Sequence, residues 1–121
     1  MDKSIDDYTL EEAWGKIETA LNENPKPIEG LNAVYQFDIS GEEGGTYQLH
    51  LSNNKAKVEK GTSSEADCTL QMALPDFKEL LLGKLNGTAA FMSGRLKVKG
   101  NIGLAMKMDN ILRQYDVQEH I

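Results

Sequence analysis

"AVYQFDISGEEGGTYQLHLSNNKAKVEK", Ala33 to Lys60, decides what kind of sheet this chain builds. Tyr35, Phe37 and Ile39 alternate with Gln36, Asp38 and Ser40; after the flexible GEEGG turn, Tyr47, Leu49 and Leu51 resume the alternation. Successive side chains of a strand point to opposite faces, so this period of two gives one apolar and one polar face. Asn53 and Asn54 tolerate positive φ, which closes a second tight hairpin. The lysine-bearing KAKVEK that follows suits the edge of a sheet.

Outward from this meander the pattern changes. On the N-terminal side, Leu10, Ala13, Trp14, Ile17, Ala20 and Leu21 fall on one face at the helical period, with Thr9 and Glu12 at capping-box spacing and Pro25 and Pro27 beyond the end. On the C-terminal side, DCTLQMAL alternates again and puts Cys68, Leu70 and Met72 on one face. PDFKELLL is then a short helix opened by Pro75 and closed by Gly83, and TAAFMS is about one more turn, capped by Thr88. RLKVK is a strand with Leu96 and Val98 on one side and Arg95, Lys97 and Lys99 on the other. Asn101 caps a last helix with Leu104, Ala105, Met108, Ile111, Leu112 and Tyr115 on its main stripe and Ile102 and Met106 on its flank. Hairpin-linked strands with helices gathered on one face make an α+β arrangement.

A length of 121 residues fits one domain, residues 1–121, large enough to bury a core without staples. No apolar run approaches the roughly 20 residues of a membrane span. The acidic start MDKSIDDY lacks the apolar region of a secretory signal, and the single cysteine cannot pair within the chain; both lead to the expectation of a cytoplasmic protein. The acceptor pattern NGT at Asn86 is better read as a turn in such a setting.

Chemistry-bearing patterns are sparse. His50 and His120 have no neighbours at metal-ligand spacing, Cys68 points inward with Leu70 and Met72, and no serine occupies a nucleophile elbow. The expectation is a protein without catalytic residues, metal or cofactor. GNIG, Gly100 to Gly103, has the G-x-x-G form of an RNA clamp, but a strand leads into it where the clamp joins two helices. The formal charge of −6 also repels phosphate, so nucleic acid is not an expected partner.

That charge is unevenly spread. Leu80 to Met108 contains no acid but carries Lys84, Arg95, Lys97, Lys99 and Lys107; all 19 acids and eight of the 13 bases lie outside it. Such an island attracts anionic groups, and Arg95, Lys97 and Lys99 are the candidates for a lipid head group or an anionic membrane surface. Free amides at the start of the last helix would add to that attraction. The same stretch is rich in methionine, a soft and adaptable lining for variable apolar shapes.

Ala66 to Ile111, 46 of the 121 residues, closely resembles the C-terminal half of the sterol carrier protein type-two family of lipid-transfer domains. The matching marks are DCT, DF, GKLN, AF and above all GRLKVKGNIGLAMK; the first 65 residues match only in their order of elements. The resemblance implies a five-stranded mixed, mostly antiparallel sheet covered on one side by four to five helices and enclosing an apolar tunnel. It implies a non-catalytic carrier of a fatty acyl chain, acyl-CoA, sterol or phospholipid, with a protein-interaction or accessory module as the alternative. It also implies that Phe77, Phe91, Met92, Ile102, Leu104 and Met106 line or gate the tunnel, to which periodicity adds Met72 and Leu81. Leu74 and Pro75 replace the polar residues often seen before DF, and QEHI is not the peroxisomal address that ends many eukaryotic members. A closed hollow of roughly 300 Å³, at about 24 cal/mol per Å³, would cost about 7 kcal/mol unless filled or collapsed.

Overall fold

The computed structural model describes residues 9–81 and 87–114. Of the residues singled out above, Gly83, Lys84, Asn86, Tyr115 and His120, and the side chains of Leu81 and Leu112, lie outside those described.

The first helix, α1 (Leu10–Glu23), carries the expected capping box: the Glu12 amide donates to Thr9 Oγ1 at 3.1 Å and the Thr9 amide to Glu12 Oε1 at 3.0 Å. All six stripe residues of α1 are buried. A single 3-10 turn at Lys26–Ile28 then leads to β1 (Ala33–Ser40), β2 (Gly45–Ser52) and β3 (Lys55–Lys60). Asn53 and Asn54 adopt φ of 51° and 60°, the geometry that the tight β2–β3 hairpin needs. β4 (Cys68–Ala73), α2 (Leu74–Leu81), α3 (Gly87–Ser93), β5 (Lys97–Gly100) and α4 (Ile102–Gln114) complete the order.

The five strands form one sheet in the order β3-β2-β1-β4-β5. β1 and β4 run parallel, with Tyr35 opposite Cys68 and Phe37 opposite Leu70; the other three pairings are antiparallel. The sheet is therefore mixed and mostly antiparallel, as the family resemblance implies. Its inner face presents the alternating residues expected: Tyr35, Phe37, Ile39, Tyr47, Leu49, Leu51, Cys68, Leu70 and Met72, all buried. Trp14 of α1 is wedged among the rings of Phe37 (4.8 Å between centroids), Phe77 (5.3 Å) and Tyr47 (5.8 Å). Aromatic pairs at these separations add stability beyond the area that they bury, so this cluster anchors α1 and α2 to the sheet.

On the outer face the fully buried Gln48 is satisfied by Gln36 Oε1 and by the Ser64 carbonyl and amide, which pins the loop between β3 and β4 across the sheet. The two edges are treated differently. At β3, side chains of α1 occupy the outward backbone: Asn22 pairs with both the amide and the carbonyl of Ala56, and Glu18 Oε2 accepts from the Val58 amide at 2.6 Å. At β5 brevity and lysines guard the edge.

Two local expectations change. α2 starts at Leu74, one residue before the proline, and α3 starts at Gly87, so Thr88 lies within its first turn instead of capping it. The Gly87 amide is met from across the fold by Asp109 Oδ1 of α4 at 3.3 Å.

Candidate functional site

At the β5 end of the sheet, α3, β5 and α4 border a groove of about 280 Å³. Its wall is apolar: Phe91 and Met92 from α3, Leu96 and Val98 on either side of Lys97, and Ile102, Ala105 and Met106 from α4, with Gly87, Thr88 and Asp109 at one end. The periods of the two elements put these residues together. Alternation in β5 turns Leu96 and Val98 toward the helices. The helical period of α4 sends Met108 and Ile111 into the core while Ile102 and Met106, one turn apart, face the groove.

Backbone chemistry holds the three walls in place. Ala90 of α3 accepts from the amides of Arg95 and Leu96 at 2.9 and 3.1 Å, which fixes α3 to the approach of β5. Gly100, at φ +89°, turns β5 into α4 so close to the start of β4 that a Cβ there would lie 2.7 Å from the Asp67 carbonyl oxygen. Asp67 also accepts from the Asn101 amide through that carbonyl and from the Val34 amide through its carboxylate, so one residue ties β1, β4 and the β5–α4 turn together. Asn101 caps α4 as expected, its Oδ1 accepting from the Leu104 amide. The buried Tyr35 hydroxyl donates to the Leu104 carbonyl at 2.8 Å, and burial pushes its pKa well up, so it remains a neutral donor that clamps α4 to the sheet.

Four of the expected lining residues meet at this groove: Phe91, Met92, Ile102 and Met106. They are 43, 83, 52 and 57% exposed, and no other large hydrophobic side chain among the described residues is classed as exposed. Among the described residues the apolar space is a groove open to solvent along this rim. Three of the other expected lining residues lie elsewhere. Met72 and Phe77 do not reach the groove; both are buried in the core, Met72 on the inner face of β4 and Phe77 against Trp14. Leu104 is half-buried against the core and contributes through its backbone carbonyl. The side chain of Leu81 lies outside the described residues. Leu96, Val98, Ala105 and Asp109 were not anticipated as lining residues. For the first three the inward periodicity was visible, but periodicity does not separate a filled core from a groove.

The cationic candidates also divide. Lys97 and Lys99 stand opposite Gln71 and Thr69 on the outer face of the sheet, turned away from the groove by the alternation that turns Leu96 and Val98 toward it. Arg95 donates to Asp76 through Nε and Nη2 and to Glu79 through Nη2, so its charge is committed to α2. A head-group role for Arg95 is therefore not what this geometry offers.

Elsewhere the sequence's few reactive groups are in quiet places. Cys68 is buried and its pKa is raised, chiefly by that burial and further by Asp67. His50, on the outer face, has Nε2 3.7 Å from Glu59 Oε2. Among the described residues no group of His, Cys, Asp or Glu side chains is arranged to hold a metal ion, and no helix is long and apolar enough to cross a membrane.

Comparison with known proteins gives a consistent result. The sequence model described as the SCP-2 sterol transfer family matches residues 15–113. Hydroxysteroid dehydrogenase-like protein 2 of Xenopus laevis is 42% identical over 117 residues, 96% of this chain but 28% of that protein. Sterol carrier protein 2 of Bos taurus is 33% identical over 115 residues, covering 92% of this chain and 21% of that protein. The chain thus spans less than a third of the length of either relative. Among solved structures, sterol carrier protein 2 from Yarrowia lipolytica in its apo form superposes with a TM-score of 0.71 at 30% identity, covering 85% of this chain and 88% of that one.

Proposed function

The chain belongs to the SCP-2 sterol transfer family, and from that membership we propose that it is a non-catalytic lipid carrier whose groove between α3, β5 and α4 shelters the apolar part of its ligand. The observation that carries this reading is the rim: four large apolar side chains, each close to half exposed or more, gather around one groove. Water-exposed apolar surface concentrated in this way marks a binding site more often than an accident of packing.

A groove of about 280 Å³ between two helices and a strand suits one flexible acyl chain, free or as acyl-CoA, better than a rigid sterol or a two-chain phospholipid. A non-catalytic role fits the quiet positions of Cys68 and His50, and a cytoplasmic setting fits a lone buried thiol. Native mass spectrometry of gently purified protein should show a retained lipid, and delipidated protein should take up a fluorescent fatty acid. Failure to retain or take up any sterol, acyl or phospholipid probe would overturn the reading.

One observation favours a second reading, an accessory module: the chain matches only 28% of a relative named for dehydrogenase likeness. In that arrangement the groove would hold lipid for a neighbouring domain. A carrier moves labelled lipid between donor and acceptor vesicles, whereas an accessory module binds the lipid without moving it.

A further inference from the structure

Methionine is divided between two environments in this chain. Met72 and Met108 are buried in the core, whereas Met92 and Met106 stand exposed, and both line the groove between α3, β5 and α4. Met106 also borders a second, shallow hollow with Asn101, Lys107 and Asn110, so solvent reaches it from more than the groove. We propose, on the lipid-carrier reading of this groove, that Met92 and Met106 are paired oxidation sites: hydrogen peroxide converts their thioethers to sulfoxides, which makes the groove polar and discharges its lipid.

In that step the thioether sulfur attacks one peroxide oxygen, an S–O bond forms as the O–O bond breaks, and the second oxygen leaves as water after taking the proton of the first. Sulfur loses two electrons and the peroxide gains them. Peroxide has only to reach the sulfur, which exposure permits at Met92 and Met106 and burial denies at Met72 and Met108. A sulfoxide turns a flexible apolar side chain into a polar one. Phe91, Leu96, Val98, Ile102 and Ala105, which make most of the wall, carry no side-chain donor for its oxygen. In the empty groove water hydrates that oxygen; under an acyl chain it is a covered acceptor without a partner, which lowers affinity about tenfold for each sulfoxide. The same contact works in reverse, because a chain lying over both sulfurs shields them from peroxide. The fold does not depend on either sulfur: the Ala90 carbonyl fixes α3 to the approach of β5, and the Tyr35 hydroxyl holds α4 to the sheet. Exposure also leaves both positions open to methionine sulfoxide reductases, which return each thioether at the expense of two thiols, yielding a disulfide and water.

Delipidated protein is treated with dilute hydrogen peroxide, alone or with oleate bound, and peptide mass spectrometry locates the sulfoxides. The Kd of a fluorescent fatty acid and the Tm are measured before and after. Sulfoxide should form first at Met92 and Met106, oleate should slow it there, and Kd should rise at least tenfold with Tm nearly unchanged. Met92→Leu with Met106→Leu, whatever its starting affinity, should keep that affinity through peroxide. A mixture of the two reductases, one for each sulfoxide epimer, should restore binding to the oxidised wild type. Oxidation of Met72 or Met108 as fast as that of the exposed pair overturns the proposal. So does a doubly oxidised protein that binds the probe as before, or a double-leucine variant that loses affinity as the wild type does. Uptake before peroxide tests the carrier reading and its loss after peroxide tests this one: untreated protein that takes up no lipid probe removes the carrier reading and the discharge with it.

Discussion

Two methionine pairs of similar sequence context should behave in opposite ways. Met92 and Met106 are 83 and 57% exposed at the groove, whereas Met72 and Met108 are 5 and 1% exposed in the core. Fully burying a methionine side chain contributes about 1.5–3 kcal/mol. Met106 retains about half of its surface to bury against a ligand, so Met106→Ala should cost binding about 1 kcal/mol, a roughly fivefold rise in Kd. It should leave stability nearly untouched, since alanine is also the better helix former. Met108→Ala removes a filled volume instead and should cost about 2–5 kcal/mol of stability, lowering Tm by roughly 10 °C or more. Thermal melting of delipidated protein and displacement of a fluorescent fatty acid read the two quantities separately. The reasoning fails if Met106→Ala melts as early as Met108→Ala while its affinity is unchanged, because Met106 would then be filler and the groove would not be the site.

The β3 edge should depend on α1: Glu18→Ala with Asn22→Ala strips the partners from the Ala56 and Val58 backbone. At about 1 kcal/mol per hydrogen bond this should lower stability by roughly 3 kcal/mol and cause concentration-dependent association visible by light scattering; a monodisperse double variant with unchanged Tm would contradict it. Gly87→Ala places a Cβ 2.7 Å from Asp109 Oδ1 and 2.9 Å from its Cγ, close to the Asp109 backbone, where movement is limited. Overpacking of this kind costs about 1–3 kcal/mol, so Tm should fall and fatty-acid uptake should weaken as α3 and α4 separate; retention of both would show that this end of the groove is pliable.

Most of the fold was legible because period and face coincide in it. Tyr35, Phe37 and Ile39, then Tyr47, Leu49 and Leu51, are inward in the structure as in the alternation, and Trp14 lies on the buried stripe of α1. The mixed character of the sheet was legible only through the family resemblance, and its parallel pairing of β1 with β4 not at all, since alternation says which face a residue takes and not which strand lies beside it. The site was half legible for a related reason. Phe91, Met92, Ile102 and Met106 carried the resemblance and do meet, but Met72 and Phe77 share their apolar character and lie in the core. What separates the two sets is where α3 and α4 sit beside β5, which depends on contacts as remote in sequence as that of the Gly87 amide with the Asp109 carboxylate, 22 residues apart. The pairing of Arg95 was not legible because its partners, Asp76 and Glu79, lie in α2, 19 and 16 residues away.

The contrast between the two sheet edges explains why the cationic strand can serve the groove without lining it. β3, itself lysine-bearing, also has its outward backbone occupied by α1. β5 has no such cover from the described helices on its outward edge, so it must stay short and charged if copies of the chain are not to pair through it. Lys97 and Lys99 meet that need from the outer face, which leaves the inner face of the same strand free to present Leu96 and Val98 to the groove. An alternating strand can hold both duties only at an edge beside a gap between helices; under α1 or α2, its inner residues would be filler. The position of the groove therefore follows from the sheet order, in which the last strand is added outside β4 and, of the described helices, α3 and α4 border it.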